Sequence, residues 1–561
     1  MREFIGSVLA KGGKLIGHNV LAYDVPVCNR LLGTRIPVGA VTCTFLLSMH
    51  YSPSLAGGHS LEAWGERLGF PKTHFNDWSK LSDDMVRYCL NDCRVNVRLF
   101  VRLSERMRSV GFTERACEIE HKAWSIIQRQ RKSGFQLNVP AAHSLFAELR
   151  EIERNLRDEI YEQWPPVLEV VATYKKSRKQ NGDRSSGYLR HLEQYPRLED
   201  DPDGGYRAFD YVEFNLGSPK QRVEKLLELG WKPREFTPKG SPKVTDKGQL
   251  VPSLEEFLVK APNAAASKLA EWIAINARAN NIGTWIDVAD EKGLVHGNLW
   301  LAGTLRYRHD NPNTANIPAV RVGDDGPLKG RSGGFTYEAR DLWTVRSPDR
   351  RLVGVDAKGI QLRVLAHYIN DDGFSEAILS EDPHAANQKM LGLPTRALTK
   401  TITYATLMGA GDAKIAATAK VSLAEAREAK GLFLAKLPGL ARVIAKLQTE
   451  LKRTGRITLC DGSRILVPSD HMVIPYLLQG DESRIMKTAM IFVDEIVRKE
   501  KLDAIKVGDI HDEWQTDTLG DHVEPFIGVC RDAFPRSGLS FGYHVPIECD
   551  AKVGLTWAET H

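Results

Sequence analysis

The sequence predicts a mixed α/β fold of the α+β kind, with strands and long helices interleaved, and three observations point there. Residues 351–356, Arg-Leu-Val-Gly-Val-Asp, form an apolar strand run that passes at once into helical spacing through His367 and Tyr368. Residues 503–515 lead through apolar positions to His511-Asp512-Glu513 and then alternate again, as a hairpin does. Residues 114–164 keep apolar positions at helical spacing for far longer than a strand runs.

Taken in order, residues 33–39 are a turn-rich passage, and 59–68 and 83–100 read as helices. Only a short segment precedes the first dense motif, too little for the leading strands of an α/β sheet, so part of such a unit is expected to be missing. The helical stretch from Glu114 breaks at Ser133-Gly134 and restarts at Asn138 before Pro140, a cap followed by a helix-opening proline. Trp164-Pro165-Pro166 ends the second helix. From there to Tyr211 the chain is polar and basic, with Lys175, Lys176, Arg178, Lys179 and Arg184 close together, and reads as an exposed insertion or a solvated loop. Ser218-Pro219 caps a helix that Gly230 closes, residues 262–281 supply another, and residues 294–318 read as a strand leading into a substrate-facing loop.

At roughly 150 residues per domain, 561 residues suggest three or four folding units and exclude a small disulfide scaffold. Lys plus Arg at 76 against Asp plus Glu at 71 leaves +5, which permits a polyanionic partner without demanding one. No stretch approaches the roughly 18 apolar residues of a membrane span, so no membrane partner is expected. The eight scattered cysteines and the lack of a signal-peptide pattern predict a reducing, cytoplasmic setting. Cys89 and Cys93, one helical turn apart with no second pair, read as packed thiols.

Asp356 ends its strand as a carboxylate that needs a cation or a metal beside it, or else serves as a helix N-cap. Adjacent acids in the 503–515 hairpin would repel unless a divalent cation lies between them and a third carboxylate, and Asp356 with Asp512 makes such a pair. Arg396, Lys400 and Tyr404 recur every four residues, so on a helix they share one face. Such a face can grip a triphosphate and stack on a base, or be a plain solvated stripe.

Together these motifs resemble the family A (pol I-like) DNA polymerases, and within them the T-seven-type bacteriophage replicative enzymes. The resemblance runs over most of the chain. It rests on 356–363 as motif A, Arg396-x3-Lys400-x3-Tyr404 with Gly409 to Asp412 as motif B, His511-Asp512-Glu513 as motif C, and the closing residues 554–561. It implies a right-hand polymerase, with palm and fingers in 341–561 and thumb and the start of the palm in 113–340, the latter carrying the basic insertion of about 165–211. Asp356, Asp512, Lys400 and Glu513 would be catalytic. Asp356, the Ala357 carbonyl and Asp512 would hold two Mg²⁺ ions, for which Mn²⁺ can substitute. Arg396, Lys400 and His384 would hold the β- and γ-phosphates and Tyr404 would pack on the sugar and base, admitting dideoxynucleotides. Arg306 and Gln479 would touch the minor groove of the primer-template, with His511 against the primer end. Lys175 and Lys176 would contact DNA from the insertion.

This sequence departs from the family at Gln361, where Glu forms the steric gate, at Lys358 beside the metal site, where phosphate is a candidate partner, and at Met408 and Pro475. Residues 1–112 resemble part of a 3′→5′ exonuclease domain, with Asp24, Tyr88 and Asp92 matching its second and third motifs while the first, Asp-x-Glu, is absent. Proofreading is therefore expected to be lost, or supplied by a separate exonuclease chain. Implied partners are primer-template DNA, deoxynucleoside triphosphates and a thioredoxin-like processivity factor, in a host cytoplasm if the enzyme is phage-encoded. The competing reading is a catalytically silent primer-template or single-stranded DNA binding protein.

Overall fold

Strand Arg350–Ala357 lies inside a four-stranded antiparallel sheet between Glu513–Leu519 and Cys549–Gly554, with Ala504–Ile510 outermost beyond Glu513–Leu519. It is covered on both faces, burying Leu352, Val353 and Val355 completely, which suits its apolar run. A Cβ on Gly354 would stand 2.2 Å from the Thr560 carbonyl oxygen, so only glycine fits there. In this computed structural model all residues of the 561 are described except 238, 247, 248, 261, 262, 381–384, 387, 390, 391, 393, 394, 420 and 561.

The chain divides into two compact units, 1–139 with 288–317 and 340–561, and 140–287 with 318–339. In the first, helix Val473–Glu500 is buried nearly all round as far as Val493 and runs through the core. Its charged residues are paired internally: Arg484 with Asp461 and Glu120, and Lys487 with Glu120 at 2.8 Å. The N-terminal part of this unit has a short parallel pair, Leu15–Gly17 with Val41–Cys43, and helix Asp83–Ser109, whose Leu99, Leu103 and Met107 pack on Leu47 and Trp64. Cys89 and Cys93 are exposed on that helix, which corrects the packed-thiol reading. The core face is Val95, Asn96, Leu99 and Leu103, and the two thiols point elsewhere. All eight cysteines are free.

In the second unit, helices Val139–Gln163 and Ala264–Val288 are the long members. The basic insertion is folded rather than a solvated loop. Strands Val167–Tyr174, Tyr206–Val212 and Arg197–Asp200 form an antiparallel sheet beside helix Ser186–Gln194. Its small core is aromatic: Tyr174 stacks on Tyr206 at 4.8 Å and Tyr188 meets Tyr206 edge-on. Among the described residues no helix is long and apolar enough to cross a membrane.

Candidate active site

Asp356 reaches the end of its strand opposite Glu513 on one neighbour and Asp550 on the other. His511 and Asp512 form the two-residue turn between Ala504–Ile510 and Glu513–Leu519, with His511 at φ +63°. The Ala357 amide donates to the Asp512 carbonyl at 3.0 Å, which locks the hairpin tip against the end of the central strand. Two acids 156 positions apart in sequence are thus held side by side. Burial, and then the charges of Asp512, Glu513 and Asp550, push the Asp356 carboxyl up to about 7.

Glu513 turns inward. Its Oε1 accepts from the Trp557 indole at 2.8 Å and from Gln515 Nε2 at 2.6 Å, so the carboxylate is anchored by the closing residues of the chain. Lys358 pairs with Asp550 at 3.0 Å. Among the described residues no group of three His, Cys, Asp or Glu side chains is set to hold a metal. The sheet offers a pair of acids for a cation to bridge.

Thr395 caps helix Arg396–Leu407 by accepting from the Leu398 amide. Arg396 and Lys400 are exposed on its first turns. Tyr404 is half-buried, and burial followed by the charge of Asp512 raises its hydroxyl pKa, which puts this face within electrostatic reach of the paired acids. The helix stops at Gly409, φ +71°, where a Cβ would meet the His471 carbonyl at 2.4 Å. His384 lies outside the described residues.

Arg306 sits in the turn before strand Tyr307–Asp310 and pairs with Glu482. Gln361, in the first turn of helix Ile360–Ile369, donates to the same carboxylate at 2.8 Å. Gln479 reaches the Met408 sulfur at 3.9 Å. Burial, with Arg306 and His309 nearby, lowers the His511 imidazole to about 4, leaving it neutral. Glu482 was not singled out from the sequence, although charges at 481, 482 and 484 inside an apolar helix were a signal.

Elsewhere, Tyr88 and Asp92 converge on Lys72, whose ammonium lies 2.7 Å from the Tyr88 hydroxyl and 3.0 Å from the Asp92 carboxylate. Asp24 begins helix Asp24–Leu31. Lys175 and Lys176 are exposed just after strand Val167–Tyr174 of the other unit.

An antiparallel sheet that delivers two acids to one edge, next to a helix presenting cations and an aromatic ring, is the framework of a nucleotidyl-transferring polymerase. The family model for DNA polymerase family A matches residues 203–559. The DNA-directed DNA polymerase of Enterobacteria phage T3 is 26% identical over 98% of this chain and 93% of its own, and that of Escherichia phage T7 is 26% identical over 99% and 93%. Among solved structures, the POL domain of Pol1 from M. smegmatis in complex with DNA primer-template and dNTP is similar at a TM-score of 0.70 and 17% identity, over 92% of this chain and 82% of that one. The chain belongs to DNA polymerase family A, with that family's right-hand fold. It is a DNA-directed DNA polymerase, and its reaction is template-directed DNA synthesis.

Proposed function

We propose that Asp356 and Asp512 are the catalytic acids of this polymerase, with palm and fingers in 341–561, the thumb within 113–340 and an exonuclease-like region in 1–112. The observation that carries the reading is the position of Asp356 at its strand end, opposite Glu513 and Asp550, with the next amide, Ala357, bonded to the Asp512 carbonyl, which gathers carboxylates as a cation site does. Two carboxylates and the Ala357 carbonyl are hard oxygen donors and suit Mg²⁺, with Mn²⁺ able to substitute. Bound there, a pair of such ions supplies charge stabilisation at the attacking and leaving oxygens.

The chain's own residues do the positioning. Arg396 forks onto the triphosphate, Lys400 adds a point charge, and His384 has the same role. Tyr404 packs on the sugar and base, and Gln361 walls the 2′ side of the sugar. Arg306 and Gln479 face the minor groove, and neutral His511 offers the primer end an uncharged contact. Glu513 supports the pair through its bond to Trp557. The primer 3′-oxygen bonds to the α-phosphorus and the bond to the β-phosphate oxygen breaks, so pyrophosphate leaves.

Lys175 and Lys176 hold phosphates of the primer-template through counterion release. A thioredoxin-like processivity factor is the candidate partner of the 165–211 insertion. Asp24, Tyr88 and Asp92 read as vestiges of an exonuclease site in which Lys72 pairs with Asp92, and proofreading is lost or supplied by a separate chain. The phage relatives favour genome replication in a host cytoplasm as the setting. Extension of a primed template with Mg²⁺ tests the reading: Asp512→Ala should lose at least roughly a thousandfold in rate while keeping DNA affinity. Equal extension by the two proteins would refute it.

A further inference from the structure

Gln361 and Arg306 come from different elements, yet both end on one carboxylate. Gln361 Nε2 donates to Glu482 Oε2 at 2.8 Å, and the Arg306 guanidinium pairs with the same oxygen. The Glu482 side chain has 0% exposure. Its second oxygen, Oε1, and Arg306 Nε are buried without a hydrogen-bond partner among the described residues. A carboxylate in such a place is costly, and burial pushes it up to about 7 despite Arg306. Its backbone is held firmly. On one side Asp481 accepts from the Tyr368 and Tyr543 hydroxyls at 2.6 Å each, and on the other the Ser483 hydroxyl donates to the Leu305 carbonyl at 2.7 Å.

We infer that Glu482 is a positioning residue for nucleotide selection, a buried carboxylate that locks the Gln361 side chain as a rigid wall beside the incoming sugar and ties that wall to Arg306. The inference rests on the proposed placement of Gln361 at the sugar and Arg306 at the minor groove of the primer-template. The physical reason is stiffness. A glutamine has three side-chain torsions, and fixing them costs rotamer freedom. A neutral amide with no anchor can rotate aside and admit a 2′-hydroxyl at little cost. Bonded to a buried carboxyl oxygen that the Arg306 guanidinium also holds, it cannot. The carboxyl near this position is supplied from residue 482 rather than 361, and the Arg306 guanidinium pairs with it.

The test is single-nucleotide insertion on a primed template, reading kcat and KM for a deoxynucleotide and its matching ribonucleotide. Glu482→Ala should lower the deoxy-to-ribo ratio of kcat/KM by roughly tenfold, the scale of one hydrogen bond to a charged group. Much of that loss should appear as a raised KM for the deoxynucleotide. Glu482→Gln keeps a neutral amide contact but no charge for Arg306, and should fall between; being isosteric, it carries the test if the alanine variant does not fold. The exchange variant, Gln361→Glu with Glu482→Gln, reverses donor and acceptor and should restore the ratio. An unchanged ratio in Glu482→Gln and Glu482→Ala, or an exchange variant that merely combines the two single losses, would overturn the inference. Asp512→Ala in the same assay separates the two levels. If it abolishes insertion of both sugars while the Glu482 variants leave the ratio alone, only the role of Glu482 falls. If it leaves insertion intact, the site assignment falls and this inference with it.

Discussion

Glu120 offers the sharpest test of what holds the helix beneath the active site. Its carboxylate, at 0% exposure, faces two buried cations on helix Val473–Glu500: Arg484, also at 0%, and Lys487, which it meets through both oxygens at 2.8 Å. Replacing it by glutamine keeps the volume and removes the charge. Arg484 retains Asp461, but Lys487 keeps only the Leu305 carbonyl at 2.8 Å and the face of Tyr307 at 4.2 Å. Breaking a buried pair from one side costs about 3–5 kcal/mol, and that is the loss expected for Glu120→Gln at neutral pH. Burial pushes the Glu120 carboxyl up, but Lys487 and Arg484 outweigh it and hold it at about 2, below its ordinary 4.5. A carboxyl depressed in the folded state contributes stability above pH 4.5 and loses it as pH falls toward 2, here on the order of 3 kcal/mol. The gap between wild type and Glu120→Gln should therefore narrow across that interval. Hydrogen-exchange protection of the Val473–Glu500 amides, with urea unfolding, reads it. Adding Lys487→Met should recover much of the loss. A gap under about 1 kcal/mol at pH 7, or one independent of pH, would refute the reasoning.

Gly354→Ala places a methyl 2.2 Å from the Thr560 carbonyl and 2.7 Å from Gln515 Nε2, and should destabilise the sheet by about 1–3 kcal/mol or more and reduce primer extension. Thermal unfolding and single-turnover extension check it. Replacing Lys175 and Lys176 together by alanine should flatten the dependence of log DNA affinity on log salt by about 2, roughly 0.9 per phosphate contact, with little effect on stability.

The four-stranded sheet was legible because its signals are local. The run 351–356 lies within strand Arg350–Ala357, and His511-Asp512 fell on the hairpin turn, with Glu513 opening the next strand, where strand spacing put them. The helix face of Arg396, Lys400 and Tyr404 followed from a four-residue spacing. What escaped is non-local. Glu482 meets Gln361 and Arg306 across 121 and 176 positions, and no periodicity links them. The insertion read as a possible solvated loop because Tyr174, Tyr188 and Tyr206 make a core only once three strands pair. Cys89 and Cys93 share a helical face, but spacing alone does not say which face meets the core. That the pattern meant a polymerase came from resemblance, since the same strand-and-helix pattern serves many chemistries.

The central proposal is that carboxylates from opposite ends of the polymerase sequence jointly bind divalent cations. Counting Mn²⁺ bound to the ternary complex with chain-terminated primer-template and a deoxynucleotide, by electron paramagnetic resonance, tests it most directly. Two ions per wild-type complex are expected, with at least one lost or strongly weakened in Asp356→Ala and in Asp512→Ala while the DNA stays bound. Full, tight Mn²⁺ occupancy in either variant would contradict it.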